Sequence, residues 1–223
     1  MNSLLSVNLF NFFNGRLGRS RVVPIIAGTL WIIVVALGMW SSMAFDTTRG
    51  ESGVTPSRWP SGSHIAFQAG RINLIMLAHP NCPCTRASLA ELGEIMARSN
   101  GIVKACVLFY KPAHPPPDWD QDDLSGLARA LPGVTVHEDI DGMEAVRFGA
   151  RTSGHTLVYD LQGKLQFSGG ITRARGQAGV NAGRQIVLSV LNQTNTTETK
   201  TPIFGCPLTT RRTTDRKGEP CRN

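Results

Sequence analysis

Two cysteines stand close together where an apolar run meets a predicted helix. Cys82 and Cys84 flank Pro83 in the segment LIMLAHPNCPCTRASLAEL, residues 74–92. If Cys82 is the N-cap, Pro83 takes the first helical position, where its missing N–H has no partner to lose. A Cys82 thiolate would then face the amides of the first turn and the positive end of the helix dipole. We therefore expect a pKa below the ordinary value of about 8.5 and a nucleophile suited to thiol–disulfide exchange.

A disulfide between Cys82 and Cys84 would be tight, because Pro83 between them limits adjustment of the backbone. Strain makes a disulfide easier to reduce, so this pair predicts an oxidant or isomerase rather than a strong reductant. The plainer interpretation is a pair of unlinked core cysteines.

Short apolar runs alternate with helical patterns after residue 65, and the order is β-α-β-α-β-α-β-β-α. Strands are predicted at 72–78, 103–110, 134–140, 155–160 and 164–170, and helices at 83–99, 122–131, 142–150 and 178–193. Between the last two strands, Gln162-Gly163 predicts a hairpin turn with glycine at the positive-φ position. Strands that alternate with helices indicate an α/β domain with a mixed sheet that contains parallel pairs.

An uncharged apolar run, residues 22–45, is long enough to cross a membrane as a helix. Arg16, Arg19 and Arg21 precede it, which predicts that residues 1–21 are cytoplasmic and that the rest is exported. A cleaved signal peptide is the alternative, although the run is longer than the usual apolar core of about 7–15 residues. Residues 46–64 have the composition of a linker.

The formal net charge of +7 is concentrated at the two ends of the chain. A nucleic-acid-binding protein usually carries its basic patch on the folded domain, so we expect no nucleic-acid partner. Residues 196–223 are predicted to be a tail, disordered from Thr209 onward, in which the apolar residues 202–208 could pack. No feature of the sequence indicates an oligomeric state.

The element order resembles the thioredoxin fold, with the cysteines between the first buried strand and its helix. The segment VRFGARTSGHTLVYDLQGKLQFSGGIT is similar to the second half of such a domain. An anchor followed by an exported domain resembles the TlpA/ResA-like group, closest to the RedB-type thioredoxin-like membrane proteins. The resemblance implies a three-layer sandwich over residues 65–195, with protein thiols or disulfides as substrates and no cofactor.

The sequence departs from that family at two places. The motif is Cys-x-Cys instead of Cys-x-x-Cys, and Gly154-His155-Thr156 stands where the fold has a cis-proline that faces the cysteines. A cis bond before a residue other than proline costs about 2.5–4 kcal/mol. We therefore predict a trans Gly154–His155 bond, with the imidazole turned toward the thiols as proton donor, thiolate partner or ligand.

A metal site is the alternative use of the same residues. The fold would bring together His79, Cys82, Cys84 and His155, and thiolates with imidazoles suit Cu(I) or zinc. Copper-delivering Sco proteins are also thioredoxin-like and use two cysteines and a histidine, at a different spacing. The plainer interpretation of His79 is an ordinary loop histidine.

Three further cysteines lie outside the motif. Cys106 falls in a predicted buried strand and is interpreted as a small apolar residue. Cys206 and Cys221 could form a disulfide in an oxidising compartment, or Cys206 could fold back to the site as a third thiol. The sequence leaves both alternatives open.

These observations predict a membrane-anchored, extracytoplasmic thiol–disulfide oxidoreductase, with its domain in the periplasm or outside the cell. Cys82 would be the attacking thiolate, Cys84 the resolving thiol and His155 the nearby acid or base. The alternative is a copper-binding metallochaperone or a metal-sensing domain on the same residues. Neither the substrate nor the direction of electron flow can be read from the sequence.

Overall fold

The structure is a computed structural model that describes residues 7–117, 119, 123–194 and 197–208. The chain divides into two compact units, one ending at Asp46 and the other beginning at Thr47. Each unit is considered by itself.

The N-terminal unit is built on one helix, α1, Val7–Thr47. Its stretch from Val22 to Thr47 is long enough and apolar enough to cross a membrane, and its large side chains, such as Trp31 and Leu37, are exposed. Pro24 lies within the helix, near the start of this stretch. The sequence-based expectation of one membrane-spanning helix is therefore met by length and composition.

The second unit has the predicted order of elements. They are β1 (Ile72–Ala78), α2 (Pro83–Arg98), β2 (Val103–Lys111), α3 (Leu124–Arg129), β3 (Val134–Ile140), α4 (Met143–Arg147), β4 (His155–Tyr159), β5 (Leu165–Gly170) and α5 (Ala182–Leu191). The turn between β4 and β5 has Gly163 at φ +75°, as predicted, and the Asp160 carboxylate accepts from the amides of Gln162 and Lys164.

The five strands form one mixed sheet in the order β3-β2-β1-β4-β5. β1 lies at the centre, parallel to β2 and antiparallel to β4, and each of its seven residues is buried. A strand covered on both faces can be apolar throughout, which explains the unbroken run INLIMLA. The carboxyl end of β1 leads directly into the Cys-Pro-Cys segment.

Alternate residues of β1 point into two separate cores, which makes the domain three layers thick. Leu74 and Met76 belong to the core that α2, α3 and α5 cover, whereas Ile75 and Leu77 belong to the core on the side of α4. Phe148, just after α4, is fully buried on that second side. The predicted α/β sandwich with a mixed central sheet is confirmed.

Part of the predicted linker packs against the domain. The Trp59 ring lies 5.2 Å from Phe148 and 5.3 Å from Tyr159, measured between ring centroids. The Trp59 amide donates to the Gly163 carbonyl at 2.8 Å. A segment rich in glycine, serine and proline is thus held against the domain by a large aromatic side chain and by hydrogen bonds such as that of Ser63 to Glu144, which composition alone did not predict.

Residues 199–208, the C-terminal strap, also pack on the domain. The Ser168 amide donates to the Thr199 carbonyl at 3.0 Å, and the Leu208 amide donates to the Arg151 carbonyl at 2.9 Å. Ile203 and Leu208 are buried. The strap therefore runs from the edge of β5 to the loop that precedes β4, beside the carboxyl end of β1.

A buried ion pair joins α2 to α5. Glu91 on α2 is 2% exposed and lies 2.8 Å from the Arg184 guanidinium. Its carboxylate also accepts from the Gly179 amide at 2.5 Å and from the Asn181 side chain at 3.0 Å. Because Asn181 caps α5, this single carboxylate fixes where α5 begins against the helix that carries the cysteines.

Replacing Glu91 with alanine should lower the free energy of unfolding by up to about 3–5 kcal/mol, because the largely covered Arg184, whose side chain is 12% exposed, would lose its buried partner. Glu94→Ala is the matched control, since its partner Arg98 lies one turn away on the exposed face and the loss there should be below about 1 kcal/mol. Denaturant unfolding of the full chain in detergent, followed by circular dichroism, measures both. Equal losses in the two variants would contradict a stabilising role for the buried pair.

Candidate thiol site

The loop after β1 places Cys82 at the start of α2. Cys82 is the N-cap residue, with an extended backbone (φ −99°, ψ 117°), and Pro83 occupies the first turn, as predicted. The Cys82 amide donates to the His79 carbonyl at 3.2 Å, and the Thr85 amide donates to the Cys82 carbonyl at 2.9 Å. These main-chain bonds set the position of the Cys82 sulfur above the end of the sheet.

Ser153, in the connection between α4 and β4, holds this loop in place. Its hydroxyl accepts from the His79 amide at 2.9 Å and lies 3.0 Å from the Thr85 hydroxyl, which itself donates to the His79 carbonyl. The next residue, Gly154, has φ +86° and donates its amide to Leu77 at 2.7 Å. A side chain at 154 would be strained and would also press on the Ser88 hydroxyl of α2.

Three cysteines come together at the start of α2. Cys206 and Cys84 are both close enough to Cys82 to act on its pKa. Cys206 arrives on the C-terminal strap, where its carbonyl accepts from the Ser153 amide at 2.8 Å. Sequence reasoning left Cys206 between two alternatives, and the structure brings it to the site. Cys221, its other conceivable partner, lies outside the described residues.

The hydrogen bonds lower the pKa of Cys82 well below its ordinary value. The Cys206 thiol is the largest cause and the Cys84 thiol the next, while burial acts in the opposite direction. The sulfur makes no regular capping bond to the helix, although the amides of Cys206 and Cys84 lower its pKa further. The predicted thiolate thus has a different main cause from the one that the sequence suggested.

The pKa of Cys84 is shifted in the opposite direction from that of Cys82. Its hydrogen bond to Cys82 raises its pKa far above the ordinary range, and burial and the Cys82 charge add to this rise. The Gly176 amide and the Arg175 charge act in the opposite direction and are weaker. Both lie in the loop before α5, which the sequence identified only as a connection, because a single arginine in a glycine-rich loop is not a specific motif.

His79 is a histidine whose pKa responds to the charge of Cys82. Its ring stacks on Tyr110 at 5.7 Å and meets the Trp119 ring edge-on at 5.2 Å. Burial lowers its pKa, and the charge of Cys82 raises it by a smaller amount. Its Nδ1 accepts from the Asn81 amide at 3.2 Å, so the proton of the neutral ring lies on Nε2.

His155 lies elsewhere. It pairs with Leu77 across β1 and β4, and this register directs its ring into the core on the side of α4, opposite α2. Its Nε2 lies 2.9 Å from the Ser168 hydroxyl, which in turn lies 2.9 Å from the Thr55 hydroxyl. The Gly154–His155 bond is trans, as predicted. The imidazole does not turn toward the thiols, and a catalytic role for it stays a prediction.

The four residues predicted for copper do not converge. His79, Cys82 and Cys84 lie around the start of α2, whereas His155 is bonded to Ser168 on the other side of the sheet. In the part of the chain that the structure describes, no group of three or more histidine, cysteine or acidic side chains is arranged to hold a metal ion. The structure therefore brings three of these four residues together and leaves His155 apart, and metal binding stays a prediction.

Cys106 is separate from the cluster. It is buried in β2, and burial raises its pKa to about 11. The expectation that it acts as a small apolar residue agrees with this position. Within the described residues, the four cysteines at 82, 84, 106 and 206 form no disulfide with one another.

Comparison with solved structures shows the fold. A hypothetical protein from Sinorhizobium meliloti matches with a TM-score of 0.53 and 18% identity, over 74% of this chain and 96% of that one. An uncharacterized conserved protein from Geobacillus kaustophilus matches with a TM-score of 0.55 and 15% identity, over 74% and 93%. A secreted disulfide oxidoreductase from Mycobacterium tuberculosis matches more weakly, with a TM-score of 0.39 and 14% identity over 56% and 83%.

The two matches with TM-scores above 0.5 share the overall fold of this domain. Its five-stranded mixed sheet and its order of helices are those of the α/β sandwich that the resemblance to thioredoxins predicted. No family model and no curated protein sequence matches the chain. At these levels of identity the likeness concerns the fold, so the chemistry must be argued from the site itself.

Acid should destabilise the domain through His155. Burial lowers its pKa to about 4, from about 6.5 in an unfolded chain. Between those values the unfolded chain binds a proton at this position that the folded chain does not, so stability falls as pH falls from about 6.5, by up to about 3 kcal/mol. His155→Asn should flatten this dependence, and unfolding measured across the interval checks it.

His114→Asn is the control for that experiment, because His114 is exposed in the loop after β2. Its profile should follow that of the unmodified chain. A His155→Asn profile as steep as that of the unmodified chain would show that His155 is not the group responsible.

Proposed function

We propose that this chain is a membrane-anchored, extracytoplasmic thiol–disulfide oxidoreductase in which Cys82 is the reactive thiolate. The observation that supports it is the convergence of two other thiols on one buried sulfur at the start of a helix. Thiol–disulfide exchange needs a thiolate with a second sulfur in contact with it. The sequence assigns that second sulfur to Cys84.

A stabilised thiolate determines whether the site acts better as an oxidant or as a reductant of its substrate. Hydrogen bonds that favour the Cys82 thiolate stabilise the reduced protein relative to its disulfide, so the disulfide is more oxidising. A thiol of low pKa is also a good leaving group, while its nucleophilicity falls. This supports the expectation of an oxidant or isomerase rather than a strong reductant.

The histidine of the site is His79 in this proposal. Its neutral ring is close enough to Cys82 for the thiolate charge to act on its pKa, whereas burial is the cause that lowers the pKa of His155. Burial is the larger cause and keeps the His79 ring neutral, so a neutral imidazole lies beside the charged Cys82. His155, bonded to Ser168, would contribute through the packing of β4 and β5.

The arrangement of the whole chain supports the finer placement among TlpA/ResA-like proteins, closest to the RedB type. One apolar helix that could span a membrane precedes a thioredoxin-like domain. A copper-binding function is less well supported, because His155 is turned away from the thiols.

Equilibration of the full chain with glutathione in detergent tests the proposal. The metal-free protein should form a disulfide that involves Cys82, with a reduction potential above the value of about −270 mV typical of thioredoxin. Cys82→Ser should abolish it. Cys106→Ala should leave the potential unchanged, since Cys106 is buried in β2 away from the cluster.

A copper titration of the same samples separates the alternatives. Thiol exchange predicts that the disulfide forms without metal. It also predicts that the titration shows no specific Cu(I) site. Failure of Cys82 to enter any disulfide, together with Cu(I) binding that Cys82→Ser removes, would overturn the oxidoreductase in favour of a copper protein.

The orientation in the membrane is a separate prediction. Because three arginines precede the apolar helix, the domain should lie outside the cytoplasm. Alkaline phosphatase fused after Asn223 should be active, and the same enzyme fused after Gly18 should not. Activity of the Gly18 fusion alone would show the opposite orientation and place the cysteines in a reducing compartment.

A further inference from the structure

We infer that Cys206, carried on the C-terminal strap, is the disulfide partner of Cys82 and the sulfur at which substrate is exchanged. The inference rests on the proposed thiol–disulfide function and changes the residue that completes the site. It assigns a redox role to a segment that lies outside the strands and helices of the fold.

The strap holds Cys206 at Cys82 by main-chain bonds. The Cys206 carbonyl accepts from the Ser153 amide at 2.8 Å, and the Leu208 amide donates to the Arg151 carbonyl at 2.9 Å. Thr152 and Pro207 form an antiparallel bridge between these two bonds. The backbone of residues 206–208 is therefore paired in a fixed register with that of residues 151–153. Ser153 also bonds through its hydroxyl to the His79 amide, so the strap lies beside the loop that carries Cys82, and Cys206 is close enough to act on the Cys82 pKa.

Exposure separates the three sulfurs. Cys82 is 1% exposed and Cys84 is 6% exposed, whereas Cys206 is partly exposed. A protein thiol or disulfide cannot reach a sulfur that is covered on every side, and exchange rates depend on access. Cys206 is the most exposed of these three residues, so we expect an incoming substrate to meet it first.

Backbone freedom also favours Cys206 over Cys84 as the partner of Cys82. Pro83 fixes the chain between Cys82 and Cys84, and Cys84 belongs to the first turn of α2, so a disulfide between them would distort that turn. Cys206 belongs to a strap that is neither helix nor strand, and its side chain can turn toward Cys82 without breaking a helix.

The exchange step balances without another reactant. A substrate thiolate attacks the Cys206 sulfur of a Cys82–Cys206 disulfide. A substrate–Cys206 disulfide forms, the Cys82–Cys206 bond breaks, and Cys82 leaves as the thiolate. A second thiolate of the same substrate then attacks the substrate sulfur and releases Cys206. The substrate dithiol becomes a disulfide and the protein disulfide becomes a dithiol, and the same steps run in reverse for a substrate disulfide.

Disulfide mapping by mass spectrometry of the full chain in detergent tests this assignment, with glutathione disulfide as the probe. All variants carry Cys221→Ala, so that no disulfide to Cys221 can form. Oxidised protein and Cys84→Ser should both yield a peptide that links Cys82 to Cys206. Cys206→Ser should lose that link and exchange at least about tenfold more slowly, because the accessible sulfur is gone.

Two further variants complete the test. Cys82→Ser should accumulate glutathione on Cys206, since the sulfur that would displace it is absent. Cys106→Ala should map and exchange like the parent, because Cys106 is buried in β2. The backbone of residue 206 bonds to Ser153, and that of Leu208 bonds to Arg151, so Cys206→Ser should keep the strap in place, and circular dichroism verifies the fold.

The outcomes distinguish this inference from the proposed function. A Cys82–Cys84 link in the parent, with an unchanged exchange rate in Cys206→Ser, would overturn the role of Cys206 and leave the oxidoreductase intact. No disulfide at Cys82 in any variant, with exchange unaffected by Cys82→Ser, would overturn both. A Cys82–Cys206 link that survives Cys84→Ser supports both.

Discussion

A buried sulfur can hold a negative charge only if hydrogen-bond donors replace the water that it has lost, and this requirement governs the site. Cys82 is 1% exposed, and its donors come from two different parts of the chain, the first turn of α2 and the C-terminal strap. Neither the helix nor the strap supplies all of these donors alone. The position of the strap is therefore as much a condition for a Cys82 thiolate as the position of the helix.

One short connection before β4 aligns both sets of donors. The Ser153 hydroxyl bonds to the loop that carries Cys82, and the Ser153 amide bonds to the carbonyl of Cys206. The amides of Gly154 and His155 are also engaged, with Leu77 and Thr152. A proline at position 155 would lack the last of these donors. The departure from the thioredoxin pattern at this place thus accompanies a different task, which is to hold a strap.

The sequence predicted the fold well because strands buried on both faces and amphipathic helices leave periodic patterns, as INLIMLA does. It also predicted Cys82 as an N-cap followed by proline, because that arrangement is local. The direction of the His155 ring was not predictable, because it depends on the register of β4 against β1. The packing of Trp59 was missed, and Cys206 was left between two alternatives, for the same reason, since their contacts join residues far apart in the chain.

The shared proton couples the three sulfurs in time as well as in space. In the reduced state the Cys82 thiolate is the main reason that the pKa of Cys84 is raised, so Cys84 is held as a thiol. Once Cys82 enters a disulfide it no longer carries the charge that accepts this hydrogen bond, and the pKa of Cys84 must fall, aided by the Arg175 charge and the Gly176 amide. Burial continues to raise the Cys84 pKa in the oxidised protein, so oxidation removes the hydrogen bond and the charge of Cys82 from the causes but not the desolvation. The protonation of Cys84 is thus tied to the state of Cys82, which is a physical reason for the two thiols to lie in one cluster.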